Sequence, residues 1–410
     1  MNRRLINPRN VVKERRRFGA RAVALLGQTK LTKSALDAEV RQPLLKGQLK
    51  AAVIGHTGHG DYGDEMDRVF EDREDVELSA VADPHGKGLK AARERLQPLQ
   101  IHADFQELLV KEQPQLVSIA TRSSAGHFDM IQAALESGAH CLIEHPFTSD
   151  LEEADELVGL AKQQQLRLAV AQRMRMAPNI IHLSEVLRGG LIGELLEIRA
   201  WGRQDETAGG EDLMHAGGHQ FDLMRMFAGS PLWCSARILQ DGKEAMAGQA
   251  RIPNDNVGPV LGDEVMAQFA FPNGVHGTWT SRRRLREQVG NWAVEFHGSE
   301  GAARINCNSP PMTYVARRAG WSAEGRVEQW EPLVNDPIGN ENTARLNVRT
   351  ENRRVVDDWI EASRAGREPA CSTDNAIRSL EMVMGVYRSA LSGQRISFPL
   401  KNRTHPLISG

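Results

Sequence analysis

From Leu49 onward, short apolar runs alternate with segments whose apolar positions recur at helical spacing, as strands feeding helices do in a parallel, doubly wound sheet. Strands are expected at 51–55, 77–82, 115–120, 140–144 and 167–171, and helices at 63–70, 87–96, 104–111, 126–137 and 151–164. The last helix shows the logic. Leu151, Ala154, Leu157, Val158 and Ala161 form one stripe and most other positions are charged or Gln, so the stripe faces the sheet.

After about Arg173 the rhythm changes. A helix is expected near 178–189, an apolar run covers 192–201, and another helix follows near 216–228. Strand-like segments at 232–239, 262–271, 274–282, 292–297 and 302–306 are joined by Pro-Asn-Gly and Gly-Ser-Glu-Gly turns, which implies antiparallel neighbours. Two long helices, about 345–364 and 373–391, close the chain.

The first strand ends in Gly55-His-Thr57-Gly58-His-Gly60. Glycine lacks a Cβ, so such a turn takes positive φ and aims its N–H groups at an anion held at the start of the next helix. The spacing is a G-x-T-G-x-G variant of the dinucleotide fingerprint, with Thr57 at the second glycine's place and Gly60 at the third. The second strand ends at Asp83, somewhat beyond the roughly 20-residue spacing of an acid that binds the adenosine ribose and repels a 2′-phosphate. NAD is therefore favoured over NADP, although His85 and Lys87 soften the discrimination and Asp-Pro is also an ordinary turn opener. The expected fold is α/β: a basic extension over 1–48, a Rossmann dinucleotide-binding domain over 49–172, and a C-terminal α+β domain over 173–410. That second domain should carry a mostly antiparallel open sheet, and its closing helices could pack back on the first.

At 410 residues and 40% hydrophobic, the chain can bury the cores of two domains. Its net charge of −2 gives no reason to expect nucleic acid. The charge is uneven: residues 1–48 hold twelve Lys and Arg against three Asp and Glu, +9 net, which leaves −11 for the remainder. Arg15-Arg16-Arg17-Phe18 resembles the start of a twin-arginine export signal, but the apolar stretch 22–27 is short and flanked by Arg21, Lys30 and Lys33. A basic helical arm on the body or a neighbouring subunit is the preferred reading, with export as the alternative. No stretch approaches the roughly 20 apolar residues of a membrane span. Cys141, Cys234, Cys307 and Cys371 form no C-x-x-C pair and read as reduced thiols, consistent with cytoplasm.

Glu144-His145-Pro146, Gly218-His219-Gln-Phe-Asp222-Leu-Met-Arg and the closing Val355-Val-Asp-Asp-Trp-Ile-Glu-Ala…Ser389-Ala-Leu-Ser-Gly occur in one order. With them, roughly residues 49–400 resemble the Gfo/Idh/MocA family of NAD(P)-dependent oxidoreductases. The resemblance implies a sugar or polyol substrate and a C-terminal sheet that often mediates homo-oligomers. It places Ala120, Thr121 and His127 along the nicotinamide half of the cofactor and Glu144 by the nicotinamide ribose. Most family members have Glu-Lys-Pro, whose lysine helps move a proton at the substrate hydroxyl; here that position is His145. The family's Asp-x-x-x-His reads His215-Ala-Gly-Gly-His219, so the histidine is kept and the aspartate is not.

A hydride leaves an alcohol carbon only if the hydroxyl proton is taken up, which requires a base within hydrogen-bond reach. Histidine can be that base at neutral pH. His219 is the first choice, with His145 positioning the hydroxyl and His215 orienting His219, a task Asp212 or Asp222 could also take. Helix-start packing and capping is the plainer reading of His215 and His219. Their i, i+4 spacing also suits zinc, but two intervening glycines weaken the helix and no third ligand stands in the motif, so no metal site is assigned. Among the polar groups that follow the sixth strand, Arg173 and Asp212, together with Asp222, are the candidate substrate partners. Arg282-Arg-Arg-Leu-Arg286 reads as a solvated turn. The leading function is hydride transfer between NAD(P) and a secondary alcohol. The alternatives are an NAD-dependent glycosidase or lyase working through transient oxidation, and a catalytically silent NAD-binding sensor.

Overall fold

The apolar runs after Leu49 form a six-stranded parallel sheet: β1 (Leu49–Ile54), β2 (Val76–Ala82), β3 (Gln100–His102), β4 (Leu116–Ile119), β5 (His140–Ile143) and β6 (Leu168–Val170). The computed structural model describes residues 45–283, 292–317, 330–333 and 341–408; positions 1–44, Arg284 and Arg286 lie outside them. The strand order is β3-β2-β1-β4-β5-β6. Chain direction around the sheet reverses between β1 and β4, which opens a crevice at their carboxyl ends. The period of two sorts the sheet's faces, with Leu49, Ala51 and Val53 in one core and Ala52 and Ile54 in the other.

Helices α1 (Gly86–Leu96), α2 (Phe105–Glu112), α3 (His127–Glu136) and α4 (Leu151–Gln163) follow the strands. Asp104 and Asp150 cap α2 and α4 by accepting first-turn N–H groups. The helix expected over 63–70 is absent; only a 3₁₀ turn, Met66–Arg68, lies between β1 and β2. Gly58, Gly60, Asp61, Gly63 and Glu65 all have positive φ (+83°, +85°, +50°, +60° and +60°), and each such residue interrupts a right-handed helix.

After α5 (Pro178–Arg188) the second sheet is built from β7 (Leu195–Trp201), β8 (Trp233–Gln240), β9 (Lys243–Glu244), β10 (Glu264–Ala270), β11 (His276–Arg282) and β12 (Ala293–Gly298), with β13 (Ala302–Asn306), β14 (Met312–Ala316), β15 (Glu331–Pro332) and β16 (Ile396–Ser397). Its order is β15-β14-β13-β12-β7-β11-β10-β8-β16, with β9 on β8. The pairs are antiparallel except β7 with β11, because the apolar run near 192–201 inserts between two hairpins. Helix α6 (Gly218–Ala228) precedes β8, and α7 (Glu341–Ala365) and α8 (Thr373–Ser392) close the chain. Val355, Val356, Trp359 and Ile360 of α7 share a core with Leu49, Ala51, Val53 and Phe70. Among the described residues no helix is long and apolar enough to cross a membrane.

Candidate functional site

Three loop ends meet at the β1/β4 reversal. The Thr121 hydroxyl donates to the His59 carbonyl at 2.6 Å, the Arg122 N–H to the Gly60 carbonyl at 3.1 Å, and the Asp64 N–H to the Glu144 carboxylate at 3.2 Å. The glycine loop therefore lies directly on Ala120–Ser123. A Cβ on Gly60 would stand 2.3 Å from the Ser123 backbone nitrogen, and φ is +85°, so glycine is required there.

Asp83 is fully buried at the end of β2. It accepts from the Thr57 hydroxyl at 2.5 Å and the His85 N–H at 2.8 Å, and the Thr57 N–H also faces it. Thr57, in place of a glycine, thus covers Asp83, the acid expected from the sequence to meet the ribose. The anion site expected at a helix start does not form, because the crossover is not helical; loop amides alone remain. The residues still fit a dinucleotide. As a carboxylate, Asp83 offers only acceptors, as the expected ribose partner must, and a Cβ on Gly58 would meet nothing within 4 Å, so the loop's backbone can be approached there.

His127 is buried and bridges two loops, its Nδ1 3.0 Å from the Phe147 carbonyl and its Nε2 2.8 Å from the Thr121 carbonyl. Burial holds its pKa below the usual value, so the neutral ring donates to one carbonyl at a time. It ties the loops after β4 and β5 together.

Beyond Glu144, whose carboxylate accepts the His145 N–H at 2.9 Å, the His145 ring stacks on His219 with centroids 4.1 Å apart. Burial, reinforced by His215 and Arg173, drives His145 down to about 3. Burial, with His145 and Arg173 adding, holds His219 well below its usual value as well. Both rings are neutral at pH 7. His219 Nδ1 is buried without a partner, and Trp292 lies 6.3 Å from the same ring.

His215 goes elsewhere. It lies in a π-helical turn, Leu213–Gly217, that runs straight into α6. A wider turn breaks the i, i+4 alignment, so while His219 stacks on His145, His215 Nε2 reaches the Asp255 carboxylate. Burial alone would raise Asp255, but its hydrogen bond to His215 and its electrostatic attraction to that ring hold it below the ordinary carboxylate range. Asp255 was invisible in the sequence: it stands alone in the turn-rich stretch Pro253-Asn254-Asp255-Asn256.

Arg173 donates to Asp64 at 2.9 Å and faces Glu351 of α7 at 3.4 Å. Burial raises Glu351 to about 7 and lifts Glu144 above its usual value, with Arg173 opposing both. Asp212 and Asp222 are committed internally. Asp212 accepts from the Arg203 N–H and the Ser281 hydroxyl, both at 2.8 Å, and burial pushes it up to about 6. Asp222 takes both prongs of Arg175, at 2.9 and 2.8 Å. Of the three expected substrate partners, only Arg173 joins the imidazole cluster.

Residues 49–172 match the family model described as an oxidoreductase family with an NAD-binding Rossmann fold, and residues 194–398 match its C-terminal alpha/beta domain. Levoglucosan dehydrogenase of Pseudarthrobacter phenanthrenivorans is 26% identical over 228 residues, covering 50% of this chain and 58% of that enzyme. D-apiose dehydrogenase of Paraburkholderia graminis is 22% identical over 385 residues, covering 88% and 93%. A solved levoglucosan dehydrogenase in complex with NADH and levoglucosan superposes with a TM-score of 0.66 at 19% identity, covering 86% of this chain and all (100%) of that one; at this identity the likeness is one of fold.

Proposed function

The chain belongs to the Gfo/Idh/MocA family of NAD-binding oxidoreductases, and on that premise we propose that its substrate is a secondary alcohol of a sugar, cyclitol or related polyol. The observation that carries this reading is the stacked imidazole pair of His145 and His219, with His215 nearby on Asp255, set beside Glu144 and Arg173 at the carboxyl ends of the parallel strands. The names of the two curated relatives, both sugar dehydrogenases, point the same way.

When bound, NAD supplies the electron-pair acceptor for the alcohol carbon. Gly55, Thr57, Gly58, Gly60 and Asp83 would hold its adenosine and phosphate end; Ala120, Thr121, Glu144 and His145 would border the nicotinamide end. Arg173 orients the polyol's hydroxyls, and the histidines manage the proton. The open face of the second sheet, where Arg304 lies over Trp201 and Trp330, supports a homo-oligomer through that sheet. The four cysteines, all buried free thiols, suit a cytoplasmic setting.

Calorimetry with NAD and NADP, followed by a polyol panel scored by reduced-nicotinamide absorbance, tests the reading. Accumulation with a polyol supports it. Glycoside turnover without accumulation would favour transient oxidation, and binding without any turnover a silent sensor.

A further inference from the structure

The loop between β9 and β10 delivers Asp255 to His215, and that loop is held in place. Arg251 and Val260 exchange backbone hydrogen bonds at its base, at 3.0 and 2.9 Å. The Arg251 guanidinium pairs with Glu211 at 2.8 Å, and the Ser123 hydroxyl donates to the Asn256 carbonyl at 3.4 Å. A carboxylate only accepts, so in the neutral ring His215 Nε2 carries the hydrogen and Nδ1 holds the lone pair.

The stacked pair is a poorer acceptor. His145 is buried, His219 has its Nδ1 buried, and both feel Arg173, so a charge on either ring is opposed from two sides. His215 is instead 17% exposed at its side chain and faces a carboxylate that is 34% exposed. The charged or titratable groups that face the dyad are Arg122 at Asp255 and Glu144, His145 and His219 at His215.

We propose that His215 accepts the proton of the substrate hydroxyl, that Asp255 is the positioning residue which fixes its tautomer and balances its charge, and that His145 and His219 line the site as a neutral stack. This rests on the dehydrogenase reading above, and it exchanges the roles expected for His215 and His219 from the sequence. In the step, the O–H bond breaks and an N–H bond forms at His215 Nδ1. The carbonyl forms as the hydrogen on the adjacent carbon leaves with both electrons of its C–H bond, as hydride, to the nicotinamide dinucleotide, the oxidant. The proton then passes to solvent.

Nitrogen-15 NMR of the histidine-labelled full chain reads the dyad without turnover. His215 should show the Nε2–H tautomer with a strongly deshielded proton, and Asp255→Asn should abolish that signature while the His145 and His219 signals persist. Kinetics follow with NAD and with levoglucosan and myo-inositol as probes. His215→Asn should lower kcat by about 100- to 10,000-fold, and Asp255→Asn by about 100-fold or more, each with the KM for NAD changed less than about twofold. His219→Gln should cost less than His215→Asn. An unchanged His215 tautomer in Asp255→Asn, or a His215→Asn enzyme retaining more than about a tenth of wild-type kcat, overturns the proposal and leaves the dehydrogenase reading standing. A wild type that turns over no polyol overturns both.

Discussion

Glu351 should make stability fall as pH rises toward 8, and replacing it by Gln should abolish that fall. The carboxyl sits on α7, is 5% exposed, and has Arg173 Nε 3.4 Å away. Burial outweighs that neighbour and raises it from 4.5 to about 7. The folded state therefore holds this proton more tightly than the unfolded chain does. Its stabilising contribution is complete below 4.5 and is lost as pH rises through about 7. The interval between those two values corresponds to about 3 kcal/mol.

Glu351→Gln keeps the shape of the protonated acid at every pH, and Arg173 keeps Asp64 as its partner. Wild type and variant should be equally stable near pH 4.5, and the variant more stable by about 3 kcal/mol near pH 8. Asp212 shifts in the same direction, but it is present in both proteins and cancels in the difference. Urea unfolding at a series of pH values measures this without the ionic screening that guanidinium would add. A difference that stays flat with pH, or a wild type that gains on the variant as pH rises, would refute the reasoning; the Arg173 pair would then outweigh burial.

Gly218→Ala should displace the His145 ring, because its Cβ would stand 2.5 Å from Nε2; a loss of about 1–3 kcal/mol is expected in thermal melts, with a fall in kcat. Asp222→Ala should leave the Arg175 guanidinium buried without its bidentate partner, costing about 3–5 kcal/mol in urea while NAD affinity by calorimetry stays unchanged. Asp83→Asn should weaken NAD binding by about tenfold or more and narrow its preference over NADP, as competition calorimetry would read.

What the sequence disclosed depended on whether a signal was local. The strands β1, β2, β4, β5 and β6 announced themselves as apolar runs, whereas β3, Gln100-Ile-His102, has a single apolar side chain and so shows no run; β6 is equally short but reads Leu-Ala-Val. Residues 62–70 are the instructive case. Tyr62, Met66, Val69 and Phe70 recur at helical spacing and are indeed all buried, at 9%, 1%, 6% and 4% exposure. Their periodicity reported burial; the positive φ of Gly63 and Glu65 decided the conformation. At the site, Glu144, His145 and His219 lie in recognisable motifs. Asp255 and Glu351 do not, since the first reaches His215 across 40 residues and the second meets Arg173 from a distant helix. The acids Asp212 and Asp222 looked available because a sequence shows a charge without showing that Ser281 or Arg175 already holds it.

The absent crossover helix and the closing helix belong to one arrangement. A crossover with six positive-φ residues, Asp72 being the sixth, makes few internal hydrogen bonds, so other elements must fix it. Helix α7 does so. The Asn352 amide donates to the Asp64 carbonyl at 2.7 Å, Arg349 pairs with Glu65 at 2.8 Å, and the Phe70 and Trp359 rings lie 6.4 Å apart. Arg173 adds a further bridge, between Asp64 and Glu351. These partners stand as far as 288 residues apart in sequence, so the form of the glycine loop depends on contacts that only a distant closing helix supplies. The same contacts explain why Glu351 is buried at all: it lies where α7 meets the Asp64–Arg173 pair, so its protonation and the position of the cofactor loop draw on one set of interactions.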